Sequence, residues 1–198
     1  MKKILVATHN PGKITEYKEI MGGHALEFLL LRDLNISDEP EEDGKTYEEN
    51  AVKKAEFYSQ FTDLPVLAED GGLEIDYLNG EPGVHSRRWP GHKATDQELI
   101  DMTLAKLKGV PFEKRGAQFR VVIAFKKSRK DKIVIAEGIL RGIILEQTGK
   151  EIVPGFPFRS LFYLPEIGKV LGDATADDEI KIAHRRIAIT KLLPLLIN

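Results

Sequence analysis

Leu67-Ala68-Glu69-Asp70-Gly71-Gly72-Leu73-Glu74-Ile75-Asp76 is the stretch on which the rest of the chain is organised. Pro65, Val66, Leu67 and Ala68 read as a short buried strand that runs into two adjacent carboxylates and then two glycines. The chain resumes as an alternating strand, with Leu73, Ile75 and Tyr77 on one face and Glu74 and Asp76 on the other. Carboxylates at the end of a buried strand, beside a backbone free to bend, suit a metal ion or a general base. Asp-Gly is equally an ordinary turn between strands, so the local pattern leaves both readings open.

On either side the pattern is that of an α/β protein. Lys3 to Ala7 reads as a strand, and Thr8-His9-Asn10-Pro11-Gly12-Lys13 as a polar turn into a helix from Ile14 to Met21. A helix N-terminus with a lysine beside it is a phosphate-binding candidate, although the spacing is not that of a P-loop. Ala25 to Leu31 is a second strand. An acidic loop (Asp38, Glu39, Glu41, Glu42, Asp43) then leads through Gly44 to a helix from Tyr47 to Phe61, with Thr46 as its N-cap. Ala51, Ala55 and Tyr58 form its inward face, while Asn50 and Lys54, four apart, share another stripe. A third helix is expected from Thr95 to Leu107, then two long strands, Gln118 to Phe125 and Ile133 to Ile144, paired as an antiparallel hairpin. Pro154 to Ser160 is an irregular loop in which Phe156 and Phe158 could stack on a flat base or cap a core. A last helix is expected from Asp178 to Leu193, with His184, Arg185 and Arg186 in its middle.

Composition narrows the function. The chain has 198 residues, 42% of them hydrophobic and 30% charged, enough for a sizeable core. A net charge of -2 gives no global field for nucleic acid, and the absence of cysteine excludes thiolate chemistry. No apolar run approaches the roughly 20 residues of a membrane span, so a cytoplasmic protein is expected. The N-terminal anion-type turn, the carboxylates near Asp70 and the basic residues of the last helix together suit a polyphosphate with a divalent cation.

These motifs resemble those of the inosine triphosphate pyrophosphatase family. Thr8-His9-Asn10-Pro11-Gly12-Lys13 is similar to the family's Thr-x-Asn-x-x-Lys, and Gly44 through Ala55 to Gly-x-Thr-Phe-x-Glu-Asn-Ala-x-x-Lys-Ala. Ala68 to Leu73 stands for Ala-Asp-Asp-Ser-Gly-Leu, and Pro82 to Arg88 for Pro-Gly-x-x-Ser-Ala-Arg. The resemblance covers nearly the whole chain, residues 1–198 as one domain. It implies an elongated, two-lobed α/β fold, with a curved mixed β-sheet flanked by helices, a cleft between the lobes and a homodimer. It also implies Mg²⁺-dependent hydrolysis of nucleoside triphosphates, with deaminated purine nucleotides as substrates, to a monophosphate and pyrophosphate. By motif position Asp70 is the general base and a metal ligand, and Glu41 the other metal ligand, with Glu69 assisting. Thr8, His9, Asn10, Lys13, Lys54 and Gly71 fall at triphosphate positions, Gly71 through its backbone N–H where the family more often has serine. Phe156, Phe158, Arg159, Glu179, His184 and Arg185 fall where the base side is expected.

The base side is also where the chain departs from the family. Phe-Gly-Tyr-Asp-Pro is here Phe156-Pro157-Phe158-Arg159-Ser160, and the lysine of Lys-x-x-x-x-His-Arg is here Glu179. An acid and a base have exchanged. The two changes either compensate as an ion pair of reversed polarity or are independent losses. Burying either charge alone costs several kcal/mol, which favours the pair. Two alternatives therefore accompany the main expectation: the same reaction with a shifted base preference, and a nucleotide-binding homologue with little turnover.

Overall fold

The computed structural model describes residues 1–175, 177–178 and 182–197. Residues 179–181 of the helix expected from Asp178 to Leu193, among them the candidate Glu179, therefore lie outside the described residues. The fold is α/β: a mixed seven-stranded sheet in the order β2-β1-β3-β4-β5-β6-β7, flanked by helices. Its strands are β1 (Lys2–Ala7), β2 (Leu26–Leu30), β3 (Val66–Ile75), β4 (Gly116–Lys126), β5 (Val134–Ile144), β6 (Phe162–Leu164) and β7 (Lys169–Val170). The helices are α1 (Pro11–Met21), α2 (Tyr47–Tyr58), α3 (Asp96–Lys106) and α4 (His184–Ile197).

The chain folds into two compact units. The first comprises Met1–Gly71, Val121–Gly138 and His184–Asn198. Its β1 pairs in parallel with β2 and with β3, where Leu5, Val6 and Ala7 face Val66, Leu67 and Ala68. Parallel strands are covered on both faces, which is why these runs are almost uniformly apolar. The core of this unit joins Ile4, Val6 and Leu67 to Tyr17 and Met21 of α1 and to Ala188, Ile189, Leu192 and Leu196 of α4. Gly138 allows the close approach of α4 to β5, because a Cβ there would sit 1.8 Å from the His184 carbonyl oxygen.

The second unit comprises Gly72–Arg120 and Ile139–Ala183. Leu73, Ile75, Leu99, Ile100, Phe158, Leu161 and Phe162 lie in its core. Arg115, 2% exposed, braces this unit. Its guanidinium donates to the carbonyls of Leu107 at 2.9 Å, Ile144 at 2.7 Å and Leu145 at 2.8 Å, so the end of α3 is tied to the end of β5. A planar guanidinium serves several acceptors spread around one fixed plane, a geometry that the compact ammonium of lysine does not reproduce. Arg115→Lys keeps the charge but strands carbonyls, and lowers stability by about 2 kcal/mol, read as a fall in the urea midpoint at unchanged slope.

Several elements differ from expectation. α1 begins at Pro11 rather than Ile14. Asn10 caps it by accepting from the backbone N–H groups of Gly12 at 2.9 Å and Lys13 at 3.3 Å, and proline suits the first turn. β3 does not stop at the carboxylates but runs unbroken from Val66 to Ile75, so Glu69 and Asp70 sit in mid-strand. Tyr77 does not continue the inward face: the chain turns into a short 3₁₀ segment at Asp76–Leu78 and leaves Tyr77 52% exposed. His184, Arg185 and Arg186 open α4 instead of lying mid-helix.

Candidate active site

The side chains of Glu69 and Asp70 leave β3 on opposite sides, as strand alternation requires, and each meets a different helix. On one side, α1 presents Lys13 and Tyr17, four residues apart and therefore on one helix face. Lys13 Nζ lies 2.9 Å from Glu69 Oε1, and the Tyr17 hydroxyl donates to Glu69 Oε2 at 2.8 Å. From α4, Arg185 Nε donates to both Glu69 oxygens at 3.0 Å. Arg185 Nη1 donates to Glu16 at 2.8 Å, so the guanidinium links the two acids. Arg185 is buried because it lies on the stripe that continues as Ala188, Ile189, Leu192 and Leu196.

The electrostatics follow from these partners. Burial opposes ionisation of Glu69, but Arg185 and Lys13 outweigh it and hold the carboxyl well below the usual range. Burial and the Glu69 charge push the Tyr17 hydroxyl well up, so it stays a neutral donor. Burial lowers Arg185 less than Glu69 and Glu16 raise it, and its charge is permanent.

On the other side, α2 presents Asn50 and Lys54, again four apart. Asn50 Nδ2 donates to Asp70 Oδ2 at 2.9 Å. Lys54 Nζ lies 3.5 Å from Asp70 Oδ1, donates to the Glu69 carbonyl at 3.2 Å, and pairs with Glu42 from the acidic loop. Burial raises the Asp70 pKa above its ordinary value, and Lys54, Lys13 and the Asn50 bond only partly offset this. Lys54 is depressed by burial but raised more by Asp70 and Glu42. Two neighbouring carboxyls on one strand thus have opposite shifts: Glu69 is held below and Asp70 above the ordinary carboxylate value.

Gly44 supports Asn50 from behind. Its N–H donates to Asn50 Oδ1 at 2.8 Å, and a Cβ at Gly44 would stand 2.5 Å from that oxygen. Gly44→Ala therefore turns Asn50 away from Asp70, and the expected loss is about tenfold in kcat with KM little changed, read in steady-state kinetics.

The sequence candidates of this unit fall around these two clusters. Thr8 Oγ1 accepts from the Asn10 N–H at 3.2 Å. The Asn10 side chain is committed to capping α1. His9 is exposed and lies 3.7 Å from Glu39. Gly71 follows Asp70 along β3, and His184 is the first residue of α4. Glu41 is exposed, and the acid that the loop carries to Lys54 is its neighbour Glu42. Glu16, Tyr17 and Glu42 had drawn no role from the sequence. A carboxylate on a buried strand must find donors, and the Lys13-to-Tyr17 spacing was the available signal.

Phe156, Phe158 and Arg159 belong to the second unit. Asp96, the first residue of α3, accepts from the Gly155 N–H at 2.7 Å and from Arg87 Nη1 at 2.6 Å, which pins the loop. Phe158 is a core residue, edge-on to Trp89 at 6.5 Å between ring centres. Arg159 is 9% exposed, with its guanidinium 5.4 Å from the centre of the Phe156 ring. Its expected partner Glu179 is outside the described residues.

The family model described as Ham1 family matches residues 4–195. The chain belongs to the Ham1 family. It is 42% identical over 191 residues to a dITP/XTP pyrophosphatase of Thermoanaerobacter sp. (strain X514), covering 96% of this chain and 94% of that protein. It is 38% identical over 196 residues to the dITP/XTP pyrophosphatase of Bacillus subtilis (strain 168), covering 99% and 98%. The fold matches that of a solved HAM1 protein from Coxiella burnetii with a TM-score of 0.86, at 32% identity and covering 99% and 98% of the two chains. Within the described residues the chain departs from the family motifs at Tyr47, Glu69, Gly71, Arg87, Pro157, Phe158, Arg159 and Ser160. No described helix is long and apolar enough to cross a membrane.

Proposed function

We propose that this Ham1 protein is a nucleoside triphosphate pyrophosphatase. It cleaves between the α and β phosphates to release a monophosphate and pyrophosphate, and it acts on deaminated purine nucleotides such as inosine and xanthosine triphosphates. The observation that carries the proposal is the pair of adjacent carboxylates on β3, with Lys13 and Arg185 on Glu69 and with Asn50 and Lys54 beside Asp70. The names of its relatives, dITP/XTP pyrophosphatases, supply the substrate class. The whole chain acts as one catalytic domain, in the cytoplasm and as a homodimer.

In this reading Asp70 accepts the proton of the attacking water, which its raised proton affinity suits. Asn50 holds the carboxylate in place by donating to the oxygen that Lys54 does not approach. Lys13 and Lys54 offer ammonium charge to the phosphates, and Glu69 and Arg185 fix where Lys13 stands. Mg²⁺ fits the donor set. Asp70 and Glu42 are hard oxygen ligands whose carboxylates converge on one cationic point, Lys54 Nζ. Among the described residues no three acidic or histidine side chains gather as a complete metal cage. An ion held by Asp70 and Glu42, with Glu41 adjacent, would take its other ligands from phosphate and water, as Mg²⁺ commonly does. When bound it would neutralise the phosphate charge that otherwise repels the attacking water.

Arg159 stacked near Phe156 favours a second reading of specificity alone. A guanidinium donates to keto oxygens, so the base preference can differ from that of relatives with an acid at this position. The test is a panel of common and deaminated triphosphates incubated with Mg²⁺, with monophosphate, pyrophosphate and orthophosphate measured separately. Equal release of monophosphate and pyrophosphate is expected, fastest with inosine or xanthosine as base. Orthophosphate as the product rejects α–β cleavage, and binding without turnover leaves a nucleotide-binding protein.

A further inference from the structure

We infer that Lys54 is a placeholder cation, which holds the acid pair Glu42 and Asp70 in the nucleotide-free protein and yields it to a divalent ion only when a triphosphate arrives. The inference rests on the pyrophosphatase reading for its substrate but not for its test.

Lys54 Nζ meets three oxygens: Glu42 Oε1, Asp70 Oδ1 at 3.5 Å and the Glu69 carbonyl at 3.2 Å. The two carboxylates come from separate stretches, the loop before α2 and the middle of β3, and converge on one ammonium. The Lys54 and Asp70 side chains are 13% and 12% exposed, so solvent and salt screen their contact weakly, whereas Glu42, 43% exposed, reaches in from the solvent side. A lysine ammonium is a compact point charge on a flexible stem, so it can neutralise a carboxylate pair in one position and phosphate oxygens in another.

A divalent ion that took Asp70 and Glu42 as ligands would stand close to the ammonium that both carboxylates now approach. Two cations within a few Å in a poorly screened site repel strongly. Without nucleotide the lysine faces the acids Glu42 and Asp70, and it donates to the Glu69 carbonyl. Divalent affinity is therefore suppressed. A triphosphate brings several negative charges, gives Lys54 a new partner, and brings its own divalent ion to the vacated acids. Metal and nucleotide binding become mutually favourable, and the productive ligand is the metal–nucleotide complex rather than the metal alone.

The test uses Mn²⁺, titrated into the nucleotide-free protein and followed by the spin-resonance signal of the free ion. The wild type is expected to bind weakly. Lys54→Met is expected to bind about tenfold or more tightly, because the competing charge has gone. Lys54→Gln, which removes the charge but keeps a polar side chain, should show the same gain. Adding Asp70→Asn to either variant should remove it. The inference is overturned if neither variant binds Mn²⁺ more tightly than the wild type, or if the gain survives Asp70→Asn. The titration needs no turnover. Failure of the triphosphate panel with the Mn²⁺ gain present rejects the pyrophosphatase reading alone, and the opposite pattern rejects the placeholder alone.

Discussion

Asp70→Asn should lower kcat by about 10³-fold, the range expected when a positioned base and metal ligand is lost, and leave the protein folded. The substitution changes almost nothing in shape. Asn50 Nδ2 can still donate to an amide oxygen at residue 70, so the α2 contact at 2.9 Å persists. What disappears is the charge and the ability to take a proton. Burial already raises the Asp70 pKa, which means that its ionised form is held at a cost to the fold. A neutral isostere relieves that cost while leaving Lys54 with Glu42, so the unfolding midpoint should stay level or rise slightly. The informative result is this divergence: activity collapses while stability does not. Retention of activity within tenfold of the wild type would remove Asp70 from the role of base.

Glu42→Gln separates metal holding from proton transfer. It should raise the Mg²⁺ concentration needed for half-maximal rate about tenfold and leave saturated kcat less affected, measured by Mg²⁺ titration at fixed nucleotide. The same change at Glu41 is expected to do less, because Glu42 is the acid beside Lys54.

Local periodicity carried the sequence reading far in the first unit. A spacing of four placed Asn50 with Lys54 on one stripe of α2, and both do reach Asp70. The apolar run before Glu69 marked a buried strand, and β3 pairs there with β1. The same logic failed where tertiary partners decide. Gly71-Gly72 looked like a place to end a strand, yet β3, seated between β1 and β4, continues through it. Nothing local says that Tyr17 and Arg185, 52 and 116 residues away, converge on Glu69. Motif position singled out Glu41 as a metal ligand, and no local pattern signals that its neighbour Glu42 pairs with Lys54. In the second unit Phe158 could stack on a base, though loop aromatics more often cap a core, and it lies in the core. The pinning of Gly155 by Asp96, 59 residues earlier, has no signature in sequence spacing.

Glu69→Gln should be the most destabilising conservative change in the first unit, by about 3 kcal/mol or more, because it leaves buried cations without their counter-charge. Glu69 is 3% exposed, and Lys13, Arg185 and Tyr17 all bond to its carboxylate. A glutamine offers one acceptor oxygen and an amide that points donors at donors. Glu16 retains Arg185 in part, whereas Lys13 loses this partner. The pH dependence gives an independent check. The folded-state pKa lies well below the ordinary 4.5, so the stabilising contribution is complete above about pH 4.5 and is lost as pH falls towards the folded value. The gap in unfolding free energy between wild type and Glu69→Gln should therefore be widest near neutrality and shrink steadily below pH 4.5. Tyr17→Phe removes only a neutral donor and should cost about 1 kcal/mol. Combined with Glu69→Gln its effect should be far less than additive, because the bond it deletes is already impaired. A Glu69→Gln protein within 1 kcal/mol of the wild type at pH 7, or one whose deficit is flat with pH, would mean that Lys13 and Arg185 are held by Glu16 and the helix backbones instead. The nucleotide KM of such a protein should then be unchanged as well, since the lysine offered to the phosphates would stand where it did before.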